Sequence, residues 1–250
     1  MSDASAWMKV FAPAPSPRAQ VVCFPHAGGA ASSYAPLARL LSPEVRVVAV
    51  QYPGRQDRNA EPCVDDIATL ADRLSGVLRQ QLGLPTAFFG HSMGATVAFE
   101  TVRRLEKDPG WSPVRLFVSG RRAPGIVRDE DTYVHLRDDE GLIADVVKLG
   151  GTDPVVFADP ELRALVLPPI RADYRAVETY RCPPDATVTC PMAVLVGDAD
   201  PRVSVAEARQ WEKHTTGEFG LQVFGGGHFY LDAERPAVAH AIRDGLRAHL

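Results

Sequence analysis

The chain has 250 residues, of which 46% are hydrophobic and 23% charged, a composition typical of one globular domain with a sizeable core. Its formal net charge is only -4 at pH 7 and no block of lysines or arginines occurs, which argues against nucleic acid or an anionic membrane surface as a partner. No apolar stretch approaches the roughly 20 residues of a membrane span, and residues 1–20 lack the apolar segment of a signal peptide, so we expect a cytoplasmic protein.

Apolar runs that alternate with helical periodicity predict an α/β fold. The predicted strands are residues 19–24, 46–51, 86–89, 114–119, 192–196 and 221–224. Helices are predicted over residues 34–41, 65–82, 95–107 and 236–249, where apolar residues recur on one face. Such an alternation predicts a mostly parallel central sheet flanked by helices, with the ligand site at the carboxyl ends of the strands.

Residues 126–182 interrupt this alternation. The segment contains four short helical patterns, over residues 132–136, 140–149, 161–167 and 170–180, which are broken by glycines and prolines. We predict that this segment is an inserted helical lid on a core formed by residues 1–125 and 183–250. A separate linker domain is the alternative, and it is disfavoured because the strands resume afterwards.

The pentapeptide Gly90-His91-Ser92-Met93-Gly94 joins a predicted strand to a predicted helix. It matches the G-x-S-x-G pattern, in which a sharp strand-to-helix turn leaves a nucleophilic serine hydroxyl protruding. The two glycines are needed there because the helix passes close to the strand, and His91 is expected to point away from the serine. An ordinary loop serine is the alternative, since five-residue patterns recur by chance.

A serine nucleophile needs a base within hydrogen-bond reach and a carboxylate that orients the base. Asp198 and Asp200 follow one predicted strand and His228 follows the next, so the chain order of serine, acid and histidine is that of the α/β-hydrolases. Asp200 is favoured over Asp198 because Pro201 biases its backbone toward an extended turn. The chain order favours His228 over His26, whose loop also reaches the predicted site.

The tetrahedral intermediate of such a reaction needs two preorganised hydrogen-bond donors. The Met93 N–H begins the helix after the serine, where the helix dipole favours negative charge. Residues 25–29 follow the first predicted strand and contain glycines that allow close backbone approach, so we predict the Ala27 N–H as the second donor. A plain turn or a phosphate loop is the alternative, but no nucleotide-binding glycine pattern occurs there.

We expect no metal and no cofactor in this chemistry. The four cysteines are widely scattered, without a C-x-x-C pair, which favours free thiols in a reducing compartment over disulfides or zinc. They are Cys23, Cys63, Cys182 and Cys190.

Five motifs in this order resemble the signatures of type II thioesterases, which are free-standing α/β-hydrolases that accompany modular polyketide and nonribosomal peptide synthases. The motifs are Phe24-Pro25-His26-Ala27-Gly28-Gly29, Tyr52-Pro53-Gly54-Arg55, Gly90-His91-Ser92-Met93-Gly94-Ala95, Gly197-Asp198-Ala199-Asp200-Pro201 and Gly227-His228-Phe229-Tyr230. The resemblance implies a catalytic triad of Ser92, Asp200 and His228. It also implies an oxyanion hole of the Ala27 and Met93 amides and a mobile lid over residues 126–182.

The resemblance further implies the substrate, an aberrant or stalled acyl group on the phosphopantetheine arm of an acyl carrier or peptidyl carrier protein, released as a free acid. A carboxylesterase acting on small oxygen esters would share every catalytic residue and is one alternative. A non-catalytic module that binds the synthase is the other. We expect a monomer with a mostly apolar acyl pocket.

Four arginines follow predicted strands and are candidates for a basic rim that steers an acidic carrier protein toward the site. They are Arg55, Arg58, Arg121 and Arg122. A solvated surface role is the alternative for each of them.

Overall fold

A seven-stranded sheet runs through the computed structural model, which describes residues 4–126 and 133–250. Its strands are β1 (Met8–Lys9), β2 (Ala19–Phe24), β3 (Val45–Val50), β4 (Thr86–His91), β5 (Arg115–Ser119), β6 (Met192–Gly197) and β7 (Phe219–Phe224). Their spatial order is β1-β3-β2-β4-β5-β6-β7. Every neighbouring pair is parallel except β1 and β3. The six predicted strands are present, and the predicted mostly parallel sheet is confirmed.

Helices cover both faces of this sheet. They are α1 (Ala4–Trp7), α2 (Ala35–Leu41), α3 (Ile67–Leu78), α4 (Met93–Leu105), α5 (Asp139–Leu149), α6 (Val155–Ala158), α7 (Pro160–Thr179), α8 (Val205–Arg209), α9 (Tyr230–Ala233) and α10 (Arg235–Leu246). Val22 and Phe24 pack in one apolar cluster with α3 and α4. Val21 and Cys23 pack in another with α2 and α10. Because alternate residues of β2 are buried on opposite faces, five of its six residues are apolar, and the sixth, Gln20, donates to Thr86 Oγ1 at 2.8 Å.

Helix α3 illustrates how the sequence sets an element and its packing. The Asp66 carboxylate accepts the Thr69 N–H at 2.7 Å and so caps the first turn. Leu70 and Leu78 are buried on the face turned to the sheet. Burial of each such side chain stabilises the fold by about 1.5–3 kcal/mol. The predicted range of 65–82 is too long, because Asp66 already has extended backbone and α3 ends at Leu78.

The chain between β5 and β6 carries α5, α6 and α7, which share a small apolar cluster of their own. The prediction of two helices over residues 161–167 and 170–180 is wrong, since α7 continues through Pro168 and Pro169. Leu167 and Ile170, on either side of the prolines, pack into the same cluster. We attribute the continuity of α7 to this burial, which offsets the missing proline N–H donors.

The predicted helix over residues 132–136 is a single 3-10 turn, Val134–Leu136. Residue 132, like 127–131 of the predicted lid, lies outside the described residues. In the described part of the chain, no helix combines the length and the apolar character that crossing a membrane would require.

Candidate active site

Ser92 lies at the turn between β4 and α4, with backbone angles φ 54° and ψ -118° that a non-glycine residue seldom adopts. A Cβ atom at position 90 would lie 2.2 Å from the Gly94 carbonyl oxygen. A Cβ atom at position 94 would lie 2.0 Å from the Phe24 carbonyl oxygen. Both distances are far below van der Waals contact, so the predicted need for glycine on both sides of the serine is confirmed.

Three side chains from different loops form a line of hydrogen bonds at the carboxyl edge of the sheet. The Ser92 Oγ lies 3.0 Å from His228 Nε2, and His228 Nδ1 lies 2.9 Å from Asp200 Oδ2. The carboxylate of Asp200 accepts the Nδ1–H, which leaves Nε2 as an acceptor for the serine hydroxyl. The other oxygen of Asp200 accepts the Arg202 N–H at 2.8 Å, which fixes the carboxylate in place.

The two alternatives left open by the sequence, Asp198 and His26, are not members of this line. Asp198 is exposed, and its Oδ1 accepts the Gly226 N–H at 2.9 Å, so it joins the loop after β6 to the loop after β7. The His26 ring packs edge-on against Phe229 at 4.8 Å between centroids. The structure therefore places Asp200 and His228 in line with Ser92.

His26 is a neutral neighbour of this line at neutral pH. Burial, followed by the charges of His228 and Arg55, lowers the pKa of His26 to about 4, against the opposing effect of a hydrogen bond with the Gly151 backbone. Through that hydrogen bond, His26 also connects the loop after β2 to the helical segment between β5 and β6.

His91 is a site neighbour that the sequence did not reveal. Its ring centroid lies 5.1 Å from that of His228, and its Nδ1 lies 2.9 Å from Ser119 Oγ, which in turn lies 2.7 Å from the Tyr230 hydroxyl. Burial, followed by the charges of His228 and His26, lowers the pKa of His91 well below its usual value. The contact with Ser119 follows from the register of β4 on β5, which no local pattern encodes.

The two residues whose backbone amides are predicted as oxyanion donors lie on the helix after Ser92 and on the wall of its cavity. Met93 is the first residue of α4, and Ala27 is the residue of the 25–29 loop that lines the same cavity as Ser92 and His228. The Gly28 N–H donates to Asp173 Oδ2 at 2.8 Å, and the Gly29 N–H donates to the His26 carbonyl at 2.9 Å. These two amides are therefore engaged within the protein.

The prediction that Arg55 and Arg58 form an exposed basic rim is wrong. Arg55 is 6% exposed and makes a two-pronged ion pair with Asp173, with contacts of 2.6 and 2.9 Å. Arg58 is 5% exposed, pairs with Glu61 and stacks over the Trp7 ring at 4.1 Å. Charges that are buried and already paired contribute little to the field that would attract a partner.

A cavity of about 290 Å³ opens beside Ser92 and His228. The helical segment between β5 and β6 supplies part of its wall through Tyr174, Val177 and Tyr180. Charged side chains line it as well, namely Arg121, Arg122, Glu178, Arg181 and Arg202, so the cavity is less apolar than expected.

Two features of the described chain bear on metals and thiols. The four cysteines are free thiols, as predicted. Within residues 4–126 and 133–250, no three or more His, Cys, Asp or Glu side chains are grouped in a way that could hold a metal ion.

A serine at a strained strand-to-helix turn, hydrogen-bonded to a histidine from a later loop of a mostly parallel sheet, is the arrangement of the α/β-hydrolases. Comparison with known proteins narrows this class. The sequence matches the thioesterase domain family over residues 19–246. The chain therefore belongs to the thioesterase family.

Individual relatives agree with this family. A probable cadicidin biosynthesis thioesterase of Streptomyces griseus is 48% identical over 243 residues, which are 97% of this chain and 66% of that protein. Thioesterase PikA5 of Streptomyces venezuelae is 45% identical over 246 residues, which are 98% of this chain and 86% of that protein. The solved structure of the type II thioesterase BorB from the borrelidin biosynthetic cluster shares 49% identity and a TM-score of 0.89, covering 98% of this chain and 99% of BorB. The resemblance to type II thioesterases and the α/β-hydrolase fold are thus confirmed.

Proposed function

We propose that this thioesterase uses Ser92, His228 and Asp200 to hydrolyse aberrant or stalled acyl groups from the phosphopantetheine arm of acyl carrier or peptidyl carrier proteins. The line of hydrogen bonds from Ser92 through His228 to Asp200 carries the proposal of serine hydrolysis. The carrier-bound substrate is supported by the similarity to the probable cadicidin biosynthesis thioesterase and to the type II thioesterase BorB of the borrelidin biosynthetic cluster. We place the reaction in the cytoplasm and assign it to a monomer.

Acylation begins with attack of Ser92 Oγ on the thioester carbonyl carbon while His228 Nε2 takes the hydroxyl proton. The carbonyl oxygen becomes an oxyanion, which the Ala27 and Met93 N–H groups stabilise. Asp200 keeps the His228 ring in the required tautomer and stabilises its positive charge. When the intermediate collapses, the carbon–sulfur bond breaks, and the phosphopantetheine thiol leaves with the proton from His228.

Deacylation repeats these steps with water as the nucleophile. His228 Nε2 removes a proton from the water, which attacks the acyl-serine carbonyl through a second oxyanion. The carbon–oxygen bond to Ser92 then breaks, and His228 returns the proton to the serine. The product is the free acid, and no cofactor takes part in either half of the reaction.

The neighbours of His228 favour this proton transfer. Because His26 and His91 both have lowered pKa values, they stay neutral at neutral pH. A neutral neighbour does not repel the imidazolium that forms on His228, whereas a protonated one within about 5 Å would.

The cavity beside Ser92 accommodates the acyl group, and the helical segment within residues 126–182 acts as its lid. Tyr174 and Val177 of α7 supply apolar wall for the acyl chain. Arg121 and Arg122 line the same cavity and are half-buried, so they are placed to contact the phosphopantetheine arm or the carrier protein at the entrance.

The proposal is tested with an acyl-phosphopantetheinyl carrier protein and the matched oxygen ester as substrates of the full-length protein. We expect the thioester to be preferred and Ser92→Ala to lower kcat by at least about 10³-fold. A fluorophosphonate should label the wild-type protein and leave Ser92→Ala unlabelled. A preference for the oxygen ester would contradict the proposed substrate, and an unlabelled wild-type protein would contradict the proposed nucleophile.

A further inference from the structure

The Asp173 carboxylate of α7 is a buried acceptor that the reaction described above does not use. It is 1% exposed, and Arg55 donates to both of its oxygens, at 2.6 Å from Nη1 and 2.9 Å from Nη2. A third donor is the backbone N–H of Gly28, 2.8 Å from Oδ2. The helix that forms one wall of the cavity is therefore bonded directly to the loop after β2.

The Asp173–Arg55 pair forms hydrogen bonds with two successive residues of the loop after β2. Asp173 accepts the Gly28 N–H, and Arg55 Nη1 donates to the Gly29 carbonyl at 3.0 Å. Gly28 has φ +77°, and a Cβ atom there would lie 2.7 Å from Cγ1 of Ile170 on the same face of α7. The backbone of the loop thus lies directly against the helix, with polar contacts on one side of Gly28 and apolar contact on the other.

The residue before this contact is Ala27, whose N–H faces the cavity in the proposed mechanism. The Gly28 N–H and the Ala27 carbonyl belong to one planar peptide group, so the hydrogen bond to Asp173 fixes the orientation of that plane. Only φ and ψ of Ala27 lie between this plane and the Ala27 N–H. The hydrogen bond from the Gly28 N–H to Asp173 therefore limits the directions in which the Ala27 N–H can point. The orientation of an N–H group decides how strongly it stabilises an oxyanion, because hydrogen bonds weaken steeply when they depart from linearity.

We propose that Asp173 is a positioning residue of the oxyanion hole, acting through the Gly28 amide and supported by Arg55. The inference rests on the proposed function, because it concerns the same hydrolytic reaction. It assigns two roles to α7, which forms a wall of the acyl pocket and sets the direction of a donor that stabilises the transition state.

Stabilisation of the fold alone does not explain why the Arg55–Asp173 ion pair is buried here. Two charges removed from water pay a large desolvation cost, and a buried pair often stabilises a fold no more than apolar residues of the same volume would. The contact with the Gly28 amide gives the carboxylate a task that apolar residues cannot perform.

Asp173→Ala removes the acceptor of the Gly28 N–H, and Asp173→Asn retains an oxygen that can accept it. Since loss of one oxyanion donor costs about 10²–10³ in kcat, we expect misdirection by Asp173→Ala to lower kcat by about 10- to 100-fold. The KM for the acyl thioester should stay within about threefold, because the donor acts in the transition state. Asp173→Asn should recover a large part of the lost kcat.

An alkylboronic acid gives a second readout, because it forms a tetrahedral adduct with Ser92 whose oxygen occupies the oxyanion hole. Its Ki should rise in Asp173→Ala by about the same factor as kcat falls. Rates and Ki values are corrected for the folded fraction measured by urea unfolding. If Asp173→Ala does not fold, the Asn variant still tests the proposal, since it keeps the shape of the side chain.

Arg175→Ala is the matched control, because Arg175 lies on the same helix and pairs with Asp65 of the core at 2.9 Å, at an exposed position away from the loop. We expect its kcat and boronate Ki to equal those of the wild-type protein. Unchanged kcat and Ki in Asp173→Ala would overturn the proposal, as would a raised KM with unchanged kcat or an equal loss in Arg175→Ala. An inactive wild-type protein would instead contradict the proposed function, and boronate binding would still test the positioning role.

Discussion

The two regions that enclose the cavity are held in place by different means. The carboxyl edge of the sheet is fixed by backbone atoms in close contact, as at Gly90 and Gly94, and by apolar clusters on both faces. The helical segment between β5 and β6 has, in its described residues, a small cluster of its own and reaches the main apolar cluster through Ala176. Several of its apolar side chains face solvent, including Leu136 at 69% and Val155 at 71% exposure.

Besides the packing of Ala176 in the main apolar cluster, individual polar contacts join the second region to the first. Asp173 binds Arg55, and the Tyr180 hydroxyl donates to Glu100 Oε1 at 2.6 Å. His26 bonds to the Gly151 backbone. The nucleophile is thus held by steric exclusion, which tolerates no added atom, whereas the helical segment is held in part by polar contacts that single substitutions can remove.

The largest effect is expected from Gly94→Ala, which tests the steric side of the comparison. The new methyl group would lie 2.0 Å from the Phe24 carbonyl oxygen, so α4 has to move away from β2. We expect a loss of about 3–5 kcal/mol in the free energy of unfolding, together with loss of thioesterase activity. Urea unfolding measures the first. Gly76→Ala in α3 is the control, because a Cβ atom there meets nothing within 4 Å. It should raise stability by about 0.5–1 kcal/mol, and similar effects of both variants would contradict the steric account.

The second-largest effect is expected when Asp200, at the carboxyl edge of the sheet, loses its charge. Asp200→Asn removes the charge that orients His228 and can impose the wrong ring tautomer, so kcat should fall by about 10³–10⁴-fold in a folded protein. Asp198→Asn keeps an oxygen for the Gly226 N–H and should retain wild-type kcat. Steady-state kinetics on an acyl thioester compare the two variants. A larger loss in the Asp198 variant would assign the carboxylate role to Asp198.

A pair of leucine truncations separates the stability of the two regions. Leu74 is buried against the sheet, so Leu74→Ala should lower the global free energy of unfolding by about 3 kcal/mol. Leu142 is buried in the cluster of the helical segment, and Leu142→Ala should act locally, with a global loss below about 1 kcal/mol. Limited proteolysis should then cleave faster within residues 133–182 in the Leu142 variant alone. Equal global losses would show that both regions unfold as one cooperative unit.

The smallest effect is a pH dependence of stability at the boundary between the regions. The pKa of His26 is about 4 in the folded protein and near 6.5 when unfolded, so the unfolded chain binds the proton first as the pH falls. Stability is therefore greatest above pH 6.5 and declines toward pH 4, by on the order of 2 kcal/mol from this residue. Urea unfolding between pH 7.5 and 4.5 should show a shallower decline in His26→Gln. His91 has a pKa lowered in the same direction, so the variant keeps part of the slope. An identical slope in both proteins would exclude His26 as the source.

Much of the sheet edge could be predicted because its signals are local. Ala19–Phe24 is a strand in the sequence and in the structure, since burial on both faces favours an apolar residue at nearly every position. The places of Ser92, Asp200 and His228 follow from the rule that post-strand loops of a parallel sheet meet at one edge. The choice of Asp200 over Asp198 needed only the proline that follows.

The missed features depend on contacts between distant parts of the chain. Arg55 and Arg58 are charged residues in a loop, and nothing beside them in the sequence indicates that Asp173 and Trp7 bury them. Pro168 and Pro169 locally predict a break, and tertiary packing of Leu167 and Ile170 outweighs it. The pattern around Ser92 predicts only that the His91 side chain points away from the serine, while its partner Ser119 comes from the neighbouring strand.

The short strand β1 bears on how copies of this chain behave in concentrated solution. Met8 and Lys9 pair with Val50 and Ala49, and the Trp7 carbonyl accepts the Gln51 N–H at 2.8 Å. Without these contacts the end of the valine-rich strand β3 would present unpaired backbone groups, and such an edge is a template for strands of other molecules. A two-residue antiparallel strand that ends in a lysine covers this end of β3 and offers little edge of its own, which disfavours pairing with strands of other molecules there.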